Sequence, residues 1–186
     1  MLERVLPYAK TLAKDIVQPG DLLIDATCGN GHDTKFLAGL TGSDGRVLSF
    51  DIQAQAIENA KEFCESYSNI EFILGSHANI DEHLESGSAI KAAMFNLGYL
   101  PKGDKSITTE YQTTISAVEK IFSALAPGGR IIIVVYHGHP EGKVEKEALT
   151  EFLAEWPQKE AQILEYRYIN QRNDAPYILC IEKNSK

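Results

Sequence analysis

The feature that most constrains the fold of this chain is the alternation of short, continuous apolar runs with segments of helical periodicity. The apolar runs of strand length are Leu22–Asp25, Arg46–Phe50, Ile70–Leu74, Ala92–Asn96 and Arg130–Val135. The segments predicted as helices are Thr34–Leu40, Ala54–Tyr67, Asp81–Ser86 and Thr108–Leu125. Continuous apolar strands separated by helices are typical of a mostly parallel sheet that is covered by helices on both faces. We therefore expect an α/β fold.

The last third of the chain departs from this alternation of strands and helices. The sequence PGG at 127–129 follows the longest helix and predicts a helix stop with a tight turn into the fifth strand. A polar loop and a helix over Glu145–Trp156 come next, and two strand-like runs follow at Ala161–Ile169 and Tyr177–Glu182. The turn-rich segment between these two runs predicts a hairpin.

Length and composition limit the class of protein. With 186 residues, of which 44% are hydrophobic, the chain can bury one full core, and we predict a single domain over residues 1–186. No continuous apolar run reaches the roughly 18 residues of a membrane span, and no secretory segment is evident, so we expect a cytoplasmic protein. The three cysteines lie far apart and lack histidines at metal-ligand spacing, which argues against a disulfide framework and a bound metal.

The net charge bears on nucleic-acid binding. A formal net charge of -8 argues against a protein that coats nucleic acid, because non-specific binding depends on cations that neutralise phosphates. A local basic patch remains compatible with a short structured RNA. The basic residues expected near one edge of the sheet, either as such a patch or as ordinary solvated charges, are Lys102, Lys105, Lys143, Lys146, Arg167 and Arg172.

A glycine-rich turn directly after the first predicted strand indicates a cofactor site. Residues 22–33 have the sequence LLIDATCGNGHD, a hydrophobic strand that continues into Gly29, Asn30 and Gly31 and then into a helix. Glycines let the backbone pass close to a ligand. Asp51 ends the second strand twenty residues after Gly31, where an acidic residue accepts hydrogen bonds from ribose hydroxyls.

Two nucleotide cofactors share this pattern. A nicotinamide dinucleotide uses the same turn and acid, but here Thr34 replaces its third glycine, and Asp25 places a negative charge where a pyrophosphate would lie. An acid at that place suits the cationic amino-acid end of S-adenosylmethionine. The pattern thus favours S-adenosylmethionine, although Asp25 could instead serve only as a cap for the following turn.

Polar residues after the third and fourth strands complete the predicted crevice. Ser76 and His77 follow the third strand and are expected to contact adenine, unless His77 only caps the next helix. Asn96 and Gly98 lie at the end of the fourth strand, where ligands bind in open α/β sheets, and mark the expected reaction centre. The alternative for Asn96 is a cap of the turn between strand and loop.

Three motifs carry a family resemblance: DATCGNGHDT at 25–34, FNLGYLPKGDK at 95–105 and VVYHGHPEGKVE at 134–145. With the five parallel strands, Asp51, the LAPGG turn and the hairpin, they resemble class I S-adenosylmethionine-dependent methyltransferases of Rossmann type. More narrowly, they resemble the small bacterial rRNA methylase family, whose members are associated with methylating the aminomethyl group of aminomethyl-thiouridine at the tRNA wobble position. The resemblance covers nearly the whole chain. It implies a seven-stranded, mostly parallel sheet with an antiparallel last strand, a homodimer, and the tRNA anticodon stem-loop as partner.

The resemblance also implies residues that bind the cofactor. By motif position these are Asn30, Asp33, Asp51, Gln53, Ser76, His77 and Asn96. The glycine turn adds Asp25, Cys28, Gly29 and Gly31. Asp33 could be only an acid favoured by the helix dipole, and Gln53 only a solvated residue. Cys28 fits a small packed side chain better than a nucleophile, because no base lies beside it in the sequence.

Methyl transfer is an in-line displacement, so the protein must mainly align a nucleophile with the methyl group. An amine acceptor must arrive neutral, and a desolvated pocket favours the neutral form. We expect Asn96, with the backbone carbonyls of Leu97 or Gly98, to accept hydrogen bonds from the amine. Tyr99 and Tyr136 are candidates to stack on an extruded base, or else they only pack the loop.

His137 is a candidate proton acceptor or phosphate contact, whereas His139 fits a structured turn. The predicted catalytic residues are Asn96, Tyr99 and His137. The predicted substrate-binding residues are Gly98, Tyr99, Lys102, Lys105, Tyr136 and Arg172.

Three functions remain open at this point. The first is a methyltransferase that converts 5-aminomethyl-2-thiouridine of tRNA to 5-methylaminomethyl-2-thiouridine, which the family motifs favour. The second is a methyltransferase that acts on rRNA or a small molecule, and the third is a non-catalytic regulator that binds S-adenosylmethionine. Basic residues around the crevice would support RNA, whereas a closed apolar pocket would support a small substrate.

Overall fold

The computed structural model of the chain describes residues 1–97, 110–138, 140–172 and 174–185, with the backbone alone at residues 140 and 141. Its α-helices are α1 (Val5–Lys14), α2 (His32–Thr41), α3 (Ala54–Phe63), α4 (Tyr111–Ala124) and α5 (Pro140–Ala154). Its strands are β1 (Leu22–Asp25), β2 (Arg46–Asp51), β3 (Ile70–Leu74), β4 (Ile90–Leu97), β5 (Leu125–Val135), β6 (Ala161–Tyr166) and β7 (Tyr177–Lys183). A 3-10 helix at His77–His83 connects β3 to β4.

The seven strands form one sheet in the order β3-β2-β1-β4-β5-β7-β6. The first five strands are parallel to one another. Strand β7 runs antiparallel to both β5 and β6, so the last strand reverses the direction of the sheet. The predicted Rossmann-type sheet and its C-terminal hairpin are confirmed. The strand order reverses between β1 and β4, and this switch point opens a crevice at the carboxyl ends of the strands.

Side chains that alternate along the strands bury themselves on both faces of the sheet. On one face, Leu23 and its neighbours pack with α1 and α2. On the other, Ile24 and its neighbours pack with the 3-10 helix, α4 and α5. Helix α3 forms a smaller cluster with Cys28 beside the crevice. Each fully buried Leu or Ile contributes about 1.5–3 kcal/mol, so the two faces together hold the strand ends in fixed positions.

Helix α1 lies outside the predicted elements. Its buried residues Val5, Ala9, Leu12 and Ala13 recur at helical spacing and pack against the sheet beside β5. Pro7 is tolerated because it lies in the first turn, where backbone N–H groups have no partner within the helix. The helix carries a lysine, Lys10, to the crevice.

Several predicted boundaries differ from the structure. The α-helix predicted at Asp81–Ser86 is wrong, because a 3-10 helix at His77–His83 begins four residues earlier and ends before Ser86. At the start of this 3-10 helix, Ser76 Oγ accepts a hydrogen bond from Ala78 N over 3.2 Å. Helix α3 ends at Phe63 rather than Tyr67, and β6 ends at Tyr166 rather than Ile169. Helix α5 begins at Pro140, a residue suited to the start of a helix.

The tight turn predicted at PGG is wrong, because α4 ends at Ala124 and residues 127–129 lie within β5, which begins at Leu125. Gly129 is required there because an added Cβ would lie 2.8 Å from the carbonyl oxygen of Ala126. In the ranges that the structure describes, no helix is both long enough and apolar enough to cross a membrane.

Candidate active site

The predicted site residues converge on the crevice at the carboxyl ends of β1, β2, β3 and β4. The glycine turn leaves β1, Asp51 ends β2, Ser76 and His77 follow β3, and Asn96 lies near the end of β4. Parallel strands bring their carboxyl ends to one edge of the sheet, so residues distant in sequence become neighbours.

The turn after β1 depends on glycine at Gly31. Its φ of 85° is a left-handed conformation, and an added Cβ would lie 3.0 Å from the Cβ of Ala60 on α3. The turn therefore approaches α3 as closely as the backbone allows. Next to it, Asn30 Oδ1 accepts a hydrogen bond from Asn59 Nδ2 over 3.2 Å.

Asp51 joins the glycine turn to the end of β2. Its Oδ2 accepts a hydrogen bond from Gly29 N over 2.8 Å, and its Oδ1 accepts one from Gln53 N over 2.9 Å. Each carboxylate oxygen has two acceptor positions, so ribose hydroxyls can still bind to the same group. The carboxylate thus fixes the turn and α3 while it remains suited to a ribose.

Ile52 is a residue beside Asp51 that the sequence analysis did not single out. It lies between Asp51 and Gln53, and its side chain is 56% exposed although it is a large hydrophobic residue. An exposed aliphatic side chain beside a ribose-binding acid can pack against the face of a purine. The signal in the sequence is the apolar residue directly after the acid that ends β2.

Asp25 is completely buried below the glycine turn. Its Oδ1 accepts a hydrogen bond from Thr27 N over 3.1 Å, and its Oδ2 accepts one from the Thr34 hydroxyl over 2.6 Å. Burial, followed by the charge of Asp33, raises the pKa of Asp25 to about 7. The capping bond that was the alternative for Asp25 is therefore present, and any influence of Asp25 on a ligand acts through its charge.

Thr34 explains why a third glycine is missing. Its hydroxyl is buried and contacts both Asp25 and Ser49 Oγ, the latter at 2.7 Å. A glycine would leave the buried carboxyl without this donor. Cys28 is also buried in this cluster, and burial raises the pKa of its thiol to about 12, so it lacks the thiolate that a nucleophile needs.

His77 lies at the start of the 3-10 helix and is buried. Its Nδ1 donates a hydrogen bond to the carbonyl oxygen of Ala26 over 2.9 Å, and its ring meets Phe95 edge to face. Burial lowers the pKa of His77, so the neutral ring is favoured. Among the described residues, its buried Nε2 has no hydrogen-bond partner.

Asn96 is held by two elements at the end of β4. Its backbone N donates to Thr27 Oγ1 over 2.7 Å, and its side-chain Nδ2 donates to Asp33 Oδ2. The other oxygen of Asp33 lies 3.5 Å from Lys10 Nζ on α1. Lys10, Asp33 and Asn96 thus form a continuous polar chain, which we call the Lys10–Asp33–Asn96 chain. The sequence analysis missed Lys10, because nothing in the local sequence links it to residues in two other elements.

Tyr136 and His137 follow β5 and lie in different surroundings. Burial, followed by the charge of the Asp33 carboxylate, raises the pKa of Tyr136. His137 is buried beside β7, with its ring centroid 5.5 Å from that of Tyr177. The two adjacent residues therefore have different neighbours, Asp33 for Tyr136 and Tyr177 for His137.

The remaining predicted residues are distributed outside this cluster. Arg172 is exposed in the connection between β6 and β7, whose Gln171 lines the same cavity as His137. Gly98, Tyr99, Lys102, Lys105 and His139 lie outside the described residues. In the part of the chain that the structure describes, no three His, Cys, Asp or Glu side chains are grouped as metal ligands.

Comparisons with known proteins bear on the family of this chain. The sequence profile of the family described as "Putative rRNA methylase" matches residues 47–182. The protein named "tRNA (mnm(5)s(2)U34)-methyltransferase, chloroplastic" from Arabidopsis thaliana is 33% identical over 192 aligned residues, which cover 97% of this chain and 70% of that protein.

Two solved structures are similar over nearly their whole length. The "putative rRNA-methylase" of Clostridium thermocellum has 42% identity and a TM-score of 0.96, with 98% of this chain and 99% of that chain covered. A "putative methyltransferase" of Streptococcus mutans, solved in complex with SAH, has 35% identity and a TM-score of 0.90, with 98% and 99% covered. This chain therefore belongs to the rRNA methylase family of class I S-adenosylmethionine-dependent methyltransferases.

Proposed function

We propose that this enzyme methylates tRNA at the wobble position. The acceptor is the amine of 5-aminomethyl-2-thiouridine, and the product is 5-methylaminomethyl-2-thiouridine. The observation that carries the proposal is the Asn96 carboxamide, which Asp33 orients at the crevice. The name of the Arabidopsis relative, which includes mnm(5)s(2)U34, supports the choice of nucleoside.

S-adenosylmethionine is the cofactor of this enzyme, and the crevice suits it. Asp25, Asp33 and Asp51 surround the glycine turn, so the local charge favours a cationic ligand over a pyrophosphate. In our proposal, Asp51 binds the ribose hydroxyls and Ile52 packs against the adenine face. Ser76 Oγ accepts from Ala78 N, and its own O–H remains a donor for an adenine nitrogen.

The cofactor supplies a methyl group bound to a sulfonium. When the methyl group is transferred, a neutral thioether departs, which is a good leaving group. The protein must therefore align and desolvate the acceptor. The bond to Asp33 uses the N–H side of the Asn96 carboxamide, so its Oδ1 points away from Asp33. We propose that Oδ1 accepts an N–H of the substrate amine and aims the nitrogen lone pair at the methyl group. This interaction is strongest when charge develops on the nitrogen in the transition state.

Tyr136 and Tyr99 are proposed to hold the extruded base. Tyr136 is 36% exposed, which leaves part of its surface accessible to a ligand. Stacking of a base on an aromatic ring is worth about 1–3 kcal/mol. Gly98, Lys102, Lys105 and Arg172 stay proposed contacts to the RNA, and His137 is assigned a role below.

Nucleoside mass spectrometry of tRNA tests this function. Cells without the protein should accumulate the aminomethyl nucleoside and lose the methylaminomethyl nucleoside, and the purified enzyme should restore the methyl group. The family description favours rRNA as a second candidate substrate. If a methylated rRNA nucleoside disappears while tRNA is unchanged, the tRNA proposal is wrong. No change in either RNA would direct attention to a small molecule or to a regulator.

Two further properties remain proposals. We propose a homodimer, as the family resemblance implies, and light scattering of the purified protein tests it. We also propose that the enzyme acts in the cytoplasm together with its tRNA substrate, which cell fractionation tests.

A further inference from the structure

A small cavity lies beside the reaction centre, at the carboxyl end of β5 and the start of β7. Its volume is about 270 Å³. Its lining includes His137, Arg167, Asp174 and Tyr177, and we call this cavity the His137 pocket. Neighbouring strands in a sheet lie about 4.8 Å apart. Since Leu97 pairs with Val135, and Val135 pairs with Tyr177, the pocket lies roughly 10 Å from the end of β4.

His137 has a buried polar atom without a hydrogen-bond partner. Its side chain is 11% exposed, and no described residue forms a hydrogen bond with its buried Nδ1. A buried ring nitrogen of this kind costs about 1–3 kcal/mol if it stays unsatisfied, so it calls for a ligand or another explanation. Tyr177 lies beside it with the ring planes tilted by 39°, which fixes the position of the imidazole.

The charges around His137 are mostly positive. Lys146 and Lys143 of α5, and Arg167 after β6, all act to lower the pKa of His137, with burial as the largest cause. Lys146 Nζ also lies 5.9 Å from the centroid of the Tyr177 ring. Such a cluster is notable in a protein with a net charge of -8, because it opposes the overall charge.

Two acidic groups face the same region. Asp174 Oδ1 lies 4.0 Å from His137 Nδ1, and its charge raises the pKa of the ring. Arg167 Nε donates to Glu165 Oε1 over 2.6 Å. Of the two carboxylates only Asp174 lines the cavity, and it competes for His137 with any anion that enters.

We propose that the His137 pocket holds a phosphate group of the RNA backbone next to the nucleoside that is methylated. A phosphate presents several acceptor oxygens and a negative charge, which match the histidine N–H and the arginine that line the cavity and the two lysines whose charges act on His137. The distance from the pocket to the end of β4 is one that a nucleotide adjacent to the acceptor can bridge. This inference rests on the proposed function, since it names the contact that positions the RNA.

The phosphate also explains the state of His137. In the free protein, burial and the nearby cations favour the neutral ring. An incoming anion raises the pKa of the imidazole and supplies the missing partner of the ring N–H. His137 then acts as a phosphate contact, while proton removal from the amine is left to water.

Binding of an anticodon stem-loop RNA to the full chain tests the proposal. We expect Lys146→Gln and Arg167→Gln each to weaken binding about 3- to 10-fold and to reduce the slope of log K against log salt by about 0.7, the value for one phosphate contact of a single strand. Lys159→Gln is the matched control, because this exposed lysine precedes β6 at the end of the strands opposite to the pocket, where Ala161 pairs with Lys183. Asp174→Asn should strengthen binding, because it removes the competing carboxylate.

The affinity for SAH, measured by calorimetry, reports whether each variant is folded and should stay unchanged. If Lys146→Gln and Arg167→Gln bind the stem-loop with the same affinity and slope as Lys159→Gln, the phosphate site is wrong. A weaker complex with Asp174→Asn would also contradict it. Adenosine 5′-monophosphate is the second probe. If Lys146→Gln and Arg167→Gln lose as much affinity for this nucleotide as for the stem-loop, the pocket is assigned to a free nucleotide. If the unchanged protein methylates no tRNA, the proposed function itself fails, and the two failures are therefore distinct.

Discussion

Asn96 donates a side-chain hydrogen bond to Asp33, which lies 63 residues earlier in the chain at the start of α2. Because a carboxylate offers only acceptors, this contact determines which end of the carboxamide faces the crevice. The same carboxylate pairs with Lys10 on α1. Three elements of secondary structure thus set the orientation of one amide group.

Replacement of Asn96 by alanine should impair chemistry more than binding. A preorganised hydrogen bond that strengthens in the transition state is worth about 2.7–4 kcal/mol, or roughly 100- to 1000-fold in rate. Single-turnover methyl transfer with both ligands saturating measures this rate, and separate titrations measure the affinities.

The matched control is Asn69→Ala. Asn69 donates to the carbonyls of Ala38 and Gly42, away from the crevice, so this variant should lose some stability while its rate stays normal. A near-normal rate for Asn96→Ala would reduce Asn96 to a cap of the strand end and direct the search for catalytic groups to Tyr99.

Lys10→Met should lower the rate through Asp33. The pair between Lys10 and Asp33 is partly exposed, so its effect is about 0.2–1 kcal/mol, or roughly 1.4- to 5-fold. Lys10→Arg should restore most of the rate because it keeps the charge. Lys14→Met is the control, since Lys14 lies on the same helix and over the same Phe36 ring. If both methionine variants lower the rate equally, the Lys10–Asp33–Asn96 chain has no part in orienting Asn96.

The strands could be predicted from the sequence because buried parallel strands leave continuous apolar runs. The runs Leu22–Asp25 and Ile70–Leu74 match β1 and β3 residue for residue. The glycine turn and Asp51 could be predicted for a similar reason, because a close backbone approach and a strand end both constrain residue type locally.

Other parts could not be predicted in this way. Helix α1 carries apolar residues at helical spacing, but Arg4 at its N-cap offers no side-chain capping bond, so no start signal marks where the helix begins. The contact between Lys10 and Asp33 joins residues from two helices, and only tertiary packing brings them together. The pairing of Thr34 with the buried Asp25 is likewise visible only after β1 and α2 have packed.

Asp51→Ala should weaken the binding of S-adenosylmethionine by about 1.5–3 kcal/mol, the range for loss of a charged hydrogen-bond acceptor. The structure adds a second consequence, because Gly29 N and Gln53 N lose their shared acceptor. We expect a lower melting temperature in a protein that still folds. Calorimetry measures the affinity, and Asp44→Ala, in the turn between α2 and β2, controls for the change in net charge. An unchanged affinity in the folded variant would exclude the ribose contact.

Asp25 should make the stability of the folded protein fall as pH rises. Its pKa is about 7 in the folded protein, raised first by burial and then by Asp33, whereas an exposed aspartate titrates near ~3.9. Between these two values the folded state holds a proton that the unfolded state has lost, so the free energy of unfolding decreases with pH and levels off above about 7. Asp25→Asn removes this dependence on pH. The free energy of unfolding of the unchanged protein should therefore fall relative to that of Asp25→Asn by about 2–3 kcal/mol from about pH 5 to 8. Urea unfolding at several pH values measures it.

The same ionisation should affect cofactor binding. A sulfonium near the glycine turn favours the charged form of Asp25, so the affinity for S-adenosylmethionine should rise as pH increases through about 7. SAH lacks the sulfonium charge and should respond less, which makes the ratio of the two affinities the informative quantity. An interaction of roughly 1 kcal/mol corresponds to about a fivefold change in that ratio between the protonated and ionised states. Asp25→Asn keeps the shape of the side chain and an acceptor for Thr27 N, and its ratio should be independent of pH. If the ratio in the unchanged protein is equally flat from pH 6 to 8, the buried carboxyl does not sense the sulfonium, and Asp25 serves only to cap the turn.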